Sequence, residues 1–297
     1  MTKYDAVLFD LDGTLTRSEP GITNCVQYAL DRLGFGPMPL SERLRFIGPP
    51  LYESFRDIAG MSEADAQRAV DAYRERFSAV GWMENSVYDG IPDLLIALRL
   101  AGCRLSVASA KPQPFVEKIL RHFSLFRLFD RVEAIRLCDN HADKAEIVRR
   151  ALPASFARAA MVGDRRFDME GARRMGVDAV GVSYGYGGRE ELISSGAHAV
   201  CDTVDELAAA LGAPDFRRGG RLYLPGAPED ICRRAADYLR ARGLPAQTQG
   251  PCMVRILGPG AEDAPENLFP DHALPPDGDA AWRDTEIHLN RWLDRRS

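Results

Sequence analysis

Apolar and polar positions fall into two alternating rhythms along this chain. Nearly unbroken apolar runs at Ala6 to Leu11, Arg104 to Ser109, Val132 to Ile135, Ala159 to Val162 and Ala179 to Val182 predict buried strands. Between them, apolar positions recur every three or four residues. This predicts helices over Pro92 to Leu100, Pro114 to Phe123, Asp143 to Leu152 and Asp168 to Met175. Strands separated by helices predict an α/β protein with a Rossmann-like parallel sheet and helices on both faces, whose ligand site lies at the strand carboxyl ends.

The stretch from Gly21 to about Val80 has a helical pattern, interrupted by one loop. Ile22, Val26, Ala29, Leu30 and Leu33 share one face before Gly34 ends the run. Ser62 is placed to cap a second helix, with Asp65 three residues on and Ala66, Ala69, Val70, Tyr73 and Phe77 as its apolar stripe. Between the two, Phe46-Ile-Gly-Pro-Pro-Leu51 is a rigid loop. The reading is a core over 1–16 and 87–211, interrupted by a helical cap over 17–86.

A second break falls near Gly212 to Gly220. Beyond it the pattern predicts a strand over Arg221 to Leu224, a helix over Pro228 to Arg242 and a strand over Met253 to Leu257. A loop over Gly258 to Asp279 and a final helix carrying Trp282, Trp292 and Leu293 follow. Residues 212–297 form a small α+β extension on this reading. Ile231, Ala235 and Leu239 on one helix face need cover, from the core or from a second copy in a homodimer.

Composition narrows the classes. With 45% hydrophobic and 27% charged residues in 297, the chain has a soluble protein's makeup. A net charge of −5 offers no case for nucleic acid or an anionic membrane, and no apolar run approaches a membrane span. The six cysteines lack C-x-x-C spacing, which argues against zinc and disulfides and for a cytoplasmic setting. The early first strand leaves no room for a signal peptide. Lysine occurs only at positions 3, 111, 118 and 144, which singles out Lys111 and Lys144.

The chemistry sits at strand ends. The first strand ends in Asp10-Leu-Asp12-Gly-Thr14, two carboxylates where a strand interior rejects them. Asp10 can act as a nucleophile towards phosphorus, and Asp12 can protonate the leaving oxygen and then activate water. Val107-Ala-Ser-Ala-Lys-Pro112 places Ser109 as a donor to phosphate, and Asp143-Lys144 opens a helix with a cation. Met161-Val-Gly-Asp-Arg-Arg-Phe-Asp168 ends another strand. Its Asp164 would join Asp10 around Mg²⁺, with Asp168 behind it or ligating through water.

FDLDGTLT, VASAKP, DKAEIV and MVGDRRFD, in this order and spacing, resemble the four motifs of haloacid-dehalogenase-superfamily phosphatases over residues 4–211. FIGPPL and GVSYGYGGREEL are similar to the phosphoglycolate-phosphatase-like branch with a helical cap. The resemblance implies Asp10 as nucleophile, Asp12 as acid and base, Ser109 and Lys144 on phosphate, and Asp164 with Asp168 around Mg²⁺. The backbone carbonyl of Asp12 would be a further ligand.

The implied activity is hydrolysis of a small phosphorylated metabolite, phosphoglycolate foremost. A 5′-nucleotidase, a sugar-phosphate phosphatase or phosphomutase, and a non-catalytic binding module stand as alternatives. Dehalogenases of the superfamily lack the second acid. Phosphonate cleavage wants a cap lysine, and none lies between Lys3 and Lys111. Arg45 and the Gly48-Pro49-Pro50 loop are the candidate selectors of substrate. The histidines show no ligand spacing, His141 is read as a polar loop residue, and Tyr184 to Gly188 as a flexible turn.

Overall fold

Val7 and Phe9 turn to one side of the first strand, Ala6 and Leu8 to the other, and all four are buried. That double burial needs helices on both faces of a sheet. The computed structural model describes residues 2–123, 125–136, 143–213, 221–224, 229–242, 246–248, 253–256 and 278–294.

Strand β1 (Ala6–Phe9) and the two-residue β2 (Thr16–Arg17) lead into helices α1 (Glu19–Leu33), α2 (Leu40–Leu44), α3 (Leu51–Asp57) and α4 (Glu63–Arg76). A π turn, Phe77–Gly81, continues α4, and β3 (Ser86–Val87) pairs antiparallel with β2. The chain then alternates through α5 (Ile91–Leu100), β4 (Arg104–Pro112), α6 (Gln113–His122), β5 (Arg131–Ile135) and α7 (Lys144–Ala151). It continues with β6 (Ala159–Gly163), α8 (Arg166–Arg174), β7 (Asp178–Val182), α9 (Arg189–Ser194), β8 (Ala199–Cys201) and α10 (Val204–Leu211).

The six main strands run parallel in the order β5-β4-β1-β6-β7-β8. Val7 and Phe9 pack with α5, α6 and α10, while Ala6 and Leu8 pack with α7, α8 and α9. From β1 the chain goes first to β4 and β5, then crosses back to β6 on the other side. The carboxyl end of β1 is therefore a switch point of the sheet, where a crevice opens.

The helices between β2 and β3 bury a core of their own, including Val26, Phe46, Phe55, Val70 and Phe77. Ser62 Oγ accepts the amide of Asp65 at 3.1 Å at the start of α4. The rigid loop lies between α2 and α3, two short helices that the apolar spacing did not announce.

Several boundaries differ from expectation. β4 runs on to Pro112, with its pairing to β5 shifting between Ser109 and Pro112. Helix α8 begins at Arg166, two residues early, because the Asp168 carboxylate accepts the amide of Arg165 and so belongs inside the first turn. Elements β8, α9 and α10 were not anticipated. Beyond Ala213, β9 (Arg221–Tyr223), α11 (Glu229–Ala241), β10 (Ala246–Thr248), β11 (Met253–Ile256) and α12 (Gly278–Asp294) are described. The three strands form an antiparallel sheet in the order β10-β11-β9. Leu224, Ile231, Leu239, Val254, Leu289 and Trp292 share a separate core. The expected loop over 258–279 falls almost wholly outside the described residues.

Candidate active site

The loop after β1 is a tight knot. Leu11 O accepts the amides of Thr14, Leu15 and Thr16 at 3.3, 3.0 and 2.9 Å, and Gly13 N donates to Thr16 O at 2.8 Å. Gly13 has φ +84°, and a Cβ there would collide with the Asp164 carboxylate. This turn sends the side chains of Asp10 and Asp12 to different partners.

Asp10 is buried and meets the ammonium of Lys144 at 2.7 Å; Lys144 also reaches Asp168 at 2.6 Å. Lys144 opens α7 behind its cap residue Asp143, which is held by Arg174 at 2.7 and 3.0 Å. Asp164 follows β6 and is fully buried. Its Oδ2 accepts the amide of Tyr186 at 2.8 Å, and its Oδ1 accepts the Thr14 hydroxyl at 3.4 Å. Oxygen atoms of Asp10, Asp164 and Asp168 all lie within 4.8 Å of one another.

Burial pushes the Asp10 carboxyl up to about 7; the charges of Asp168 and Asp12 add to the rise while Lys144 opposes it. Burial, with Asp168 and Asp10, holds Asp164 well above the carboxylate range. Burial works against the charge on Lys144, but Asp10 and Asp168 outweigh it and raise the ammonium above its ordinary value. Three buried carboxylates face one buried ammonium, leaving negative charge uncompensated. An all-oxygen donor set of this kind fits a hard divalent cation.

The Asp12 carboxylate is not part of that cluster. It pairs with Lys111 at 2.8 and 3.2 Å, and only its backbone carbonyl remains for the ligand role the motif resemblance implies. Lys111 also lies over the Phe77 ring, 4.6 Å from its centroid. Its rarity singled it out, but the partner is visible only in the fold. Ser109, in β4 where its pairing to β5 begins to shift, is buried; its Oγ accepts the amide of Lys111 at 3.3 Å.

Asp10, Asp12, Ser109, Lys111, Lys144 and Asp168 line one cavity together with Gly48, Arg74, Arg165 and the apolar side chains of Phe46, Pro49, Tyr52, Phe77, Phe115 and Phe167. Arg74 and Arg165 carried no motif signal beyond lying beside Tyr73 and Asp164. Arg45 does not line this cavity. It ends α2, pairs with Glu42 three residues back and points outward to a separate opening beside Tyr88 and Tyr184.

The Tyr184–Gly188 segment is not a free turn, and α9 follows it directly. Tyr186 N holds Asp164, the Tyr186 hydroxyl accepts the amide of Glu19 at 2.8 Å, and the Tyr184 hydroxyl donates to Thr14 O at 3.1 Å. Residues 137–142, including His141, lie outside the described residues.

Two motif carboxylates, a buried ammonium and an acidic cluster that fits a hard cation converge at the switch point. Residues 7–182 match the model of the haloacid dehalogenase-like hydrolases. The chain belongs to this family.

Its site is that of a phosphoric monoester hydrolase. The chain is 45% identical over 193 residues to a 5′-nucleotidase of Pseudomonas aeruginosa, covering 64% of this chain and 87% of that one. It is 40% identical to tyrosine-protein kinase PtkA of Mycobacterium tuberculosis, over 69% of this chain and 72% of that one. A phosphoglycolate phosphatase of Cupriavidus necator is 30% identical, over 69% and 92% of the two chains. Among solved structures, a predicted phosphatase from Clostridium acetobutylicum superposes with a TM-score of 0.66 at 40% identity, over 70% and 97%. No helix among the described residues is long and apolar enough to cross a membrane.

Proposed function

We propose that this hydrolase cleaves a small phosphomonoester through a phosphorylated Asp10, with Mg²⁺ at the Asp10–Asp164–Asp168 cluster, and that the leaving group carries a flat ring, as in a nucleoside 5′-monophosphate. An Asp10 oxygen attacks phosphorus, forming a carboxyl–phosphate bond as the ester bond to the leaving oxygen breaks. Asp12, which carries a proton at this step, delivers it to that oxygen and is left as the carboxylate that pairs with Lys111. Asp12 then takes a proton from water, whose oxygen attacks phosphorus to release phosphate and restore Asp10. Lys144 and the Ser109 side chain bind phosphate oxygens. Mg²⁺ would neutralise charge on the phosphoryl group.

The observation that carries the choice of leaving group is that Phe46, Pro49, Tyr52, Phe77, Phe115 and Phe167 line the same cavity as Asp10 and Asp12. Such a surface rewards a flat apolar ring far more than a two-carbon acid. The similarity to the P. aeruginosa 5′-nucleotidase points the same way. Phosphoglycolate is the second reading, because Arg74 and Arg165 line the same cavity and could pair with its carboxylate.

Specificity constants for nucleoside 5′-monophosphates against phosphoglycolate, measured with Mg²⁺, decide between them. We expect the best nucleotide to exceed phosphoglycolate in kcat/KM by at least about tenfold. The reverse order would make the arginines, and not the aromatic wall, the basis of selection.

A further inference from the structure

Arg165 follows Asp164 directly, yet its side chain leaves the acidic cluster and crosses to the inserted helices. Its backbone amide donates to Asp168 Oδ2 at 3.1 Å. Its guanidinium donates from Nε to Glu191 Oε1 at 3.0 Å and from Nη1 to the carbonyl of Ile47. Glu191 Oε1 is itself fixed by the amide of Arg166 at 2.8 Å. Ile47 lies in the Phe46–Pro50 loop that walls the cavity, and is 1% exposed. Gly48 has φ +109°, and a Cβ there would lie 2.8 Å from Arg165 Nη1, so the loop approaches the guanidinium through a residue without a side chain.

We infer that Arg165 is a positioning residue for substrate selection, clasping the cavity-wall loop to the strand end that carries the acidic cluster. Its backbone is tied to Asp168 and its charged head to the loop, so one residue sets the distance between the phosphate end and the leaving-group end of the cavity. Glu191 aims the guanidinium. A carbonyl held by a charged planar donor gives a directional tether. Lysine, a point charge, cannot bond Glu191 and Ile47 in the same fixed geometry. The kinetic consequence rests on the phosphatase reading above; the structural one does not.

The test pairs hydrogen exchange with kinetics on the full chain, for Arg165→Gln, Arg165→Lys, Glu191→Gln and Gly48→Ala. The amides of Phe46 and Ile47 bond Arg43 O and Leu44 O, both at 3.1 Å, and report opening of the loop. In Arg165→Gln and Gly48→Ala their exchange should rise about tenfold or more, with a smaller rise in Glu191→Gln, while the amides of β1 and β6 stay unchanged. KM for the preferred nucleotide should rise about tenfold while its kcat changes less than about threefold, and Arg165→Lys should recover only part of the loss. Unchanged exchange at Phe46 and Ile47 in all variants overturns the clasp, as does a rise spread through the sheet. Absence of nucleotide turnover in the unmodified protein would remove the proposed substrate and leave the exchange result to decide the clasp.

Discussion

Lys111 and Asp12 form an ion pair of 2.8 Å in the lining of the cavity, apart from the cluster that joins Asp10 to Asp164 and Asp168. The two motif carboxylates are thus separated by partner as well as by position. Asp10 sits in the acidic cluster and Asp12 against Lys111, and on the proposed mechanism they should fail differently when altered.

Asp10→Asn should abolish turnover, because an amide neither forms the carboxyl–phosphate bond nor matches the charge of the cluster. Asp12→Asn should slow hydrolysis of a nucleotide by about 10²–10⁴. The defect should shrink markedly on p-nitrophenyl phosphate, whose leaving oxygen needs no proton. Equal losses for Asp12→Asn on both esters in the first step, read as single-turnover release of the leaving group, would remove its role as the acid.

Metal dependence should be linked to pH through the same cluster. Burial raises Asp10 to about 7 and Asp164 well above the carboxylate range, so the metal-free folded protein binds more protons than the unfolded chain. The stability these groups contribute is fully present below the unfolded carboxylate pKa and is lost as pH rises through the folded values. Melting temperatures without metal should therefore fall between about pH 6 and about pH 8, and saturating Mg²⁺ should raise them more at the higher pH. Calorimetry with EDTA and with Mg²⁺ checks this. A metal-induced shift that shrinks with rising pH would contradict a charge-compensating cation. EDTA should also abolish activity.

Tyr186 offers a cleaner dissection. Its amide holds Asp164, while its hydroxyl, 2.8 Å from the amide of Glu19, holds the first residue of α1, where the inserted helices begin. Tyr186→Phe removes the second bond and keeps the first. We expect a loss in kcat/KM of about threefold to tenfold, the scale of one hydrogen bond, with the Mg²⁺ concentration for half-maximal rate essentially unchanged. A large rise in that concentration would show that the hydroxyl supports the metal cluster instead of the helix junction.

These relationships mark how far the sequence could be read. The Asp10-Leu-Asp12-Gly13 turn, Ser109 and Asp164 were visible because a strand buried on both faces is apolar until it reaches a site, although β4 itself continues past Ser109 to Pro112. Asp168 was visible as an acid, but its bond to the Arg165 amide, and so the start of α8, was not. Tyr184 and Tyr186 looked like members of a loose glycine-rich turn. Their partners Thr14, Glu19 and Asp164 lie far away in sequence, and no local pattern encodes such bonds. Arg45 was singled out for its charge beside the Gly48 loop. The chain turn after α2 instead sends Phe46 and Ile47 inward and leaves Arg45 on the surface. Elements as short as Ala199–Cys201 carry too few residues for periodicity to register.

The extension beyond Ala213 invites truncation. The catalytic layer closes on itself before that point: Lys3 N donates to Leu211 O at 3.1 Å, and Ala213 N to Ala208 O at 2.9 Å. Leu207 and Leu211 are already buried in the core of the main sheet. The core built from Leu224, Ile231, Leu239, Val254, Leu289 and Trp292 draws only on residues after the break. None of these residues lines the cavity around Asp10. A chain ending at Ala213 should therefore keep kcat/KM within about twofold, since sites without shared partners behave independently. Any loss should fall on solubility or on assembly into a homodimer, read by light scattering. A truncated protein that is folded by circular dichroism yet inactive would mean that the extension completes the active site.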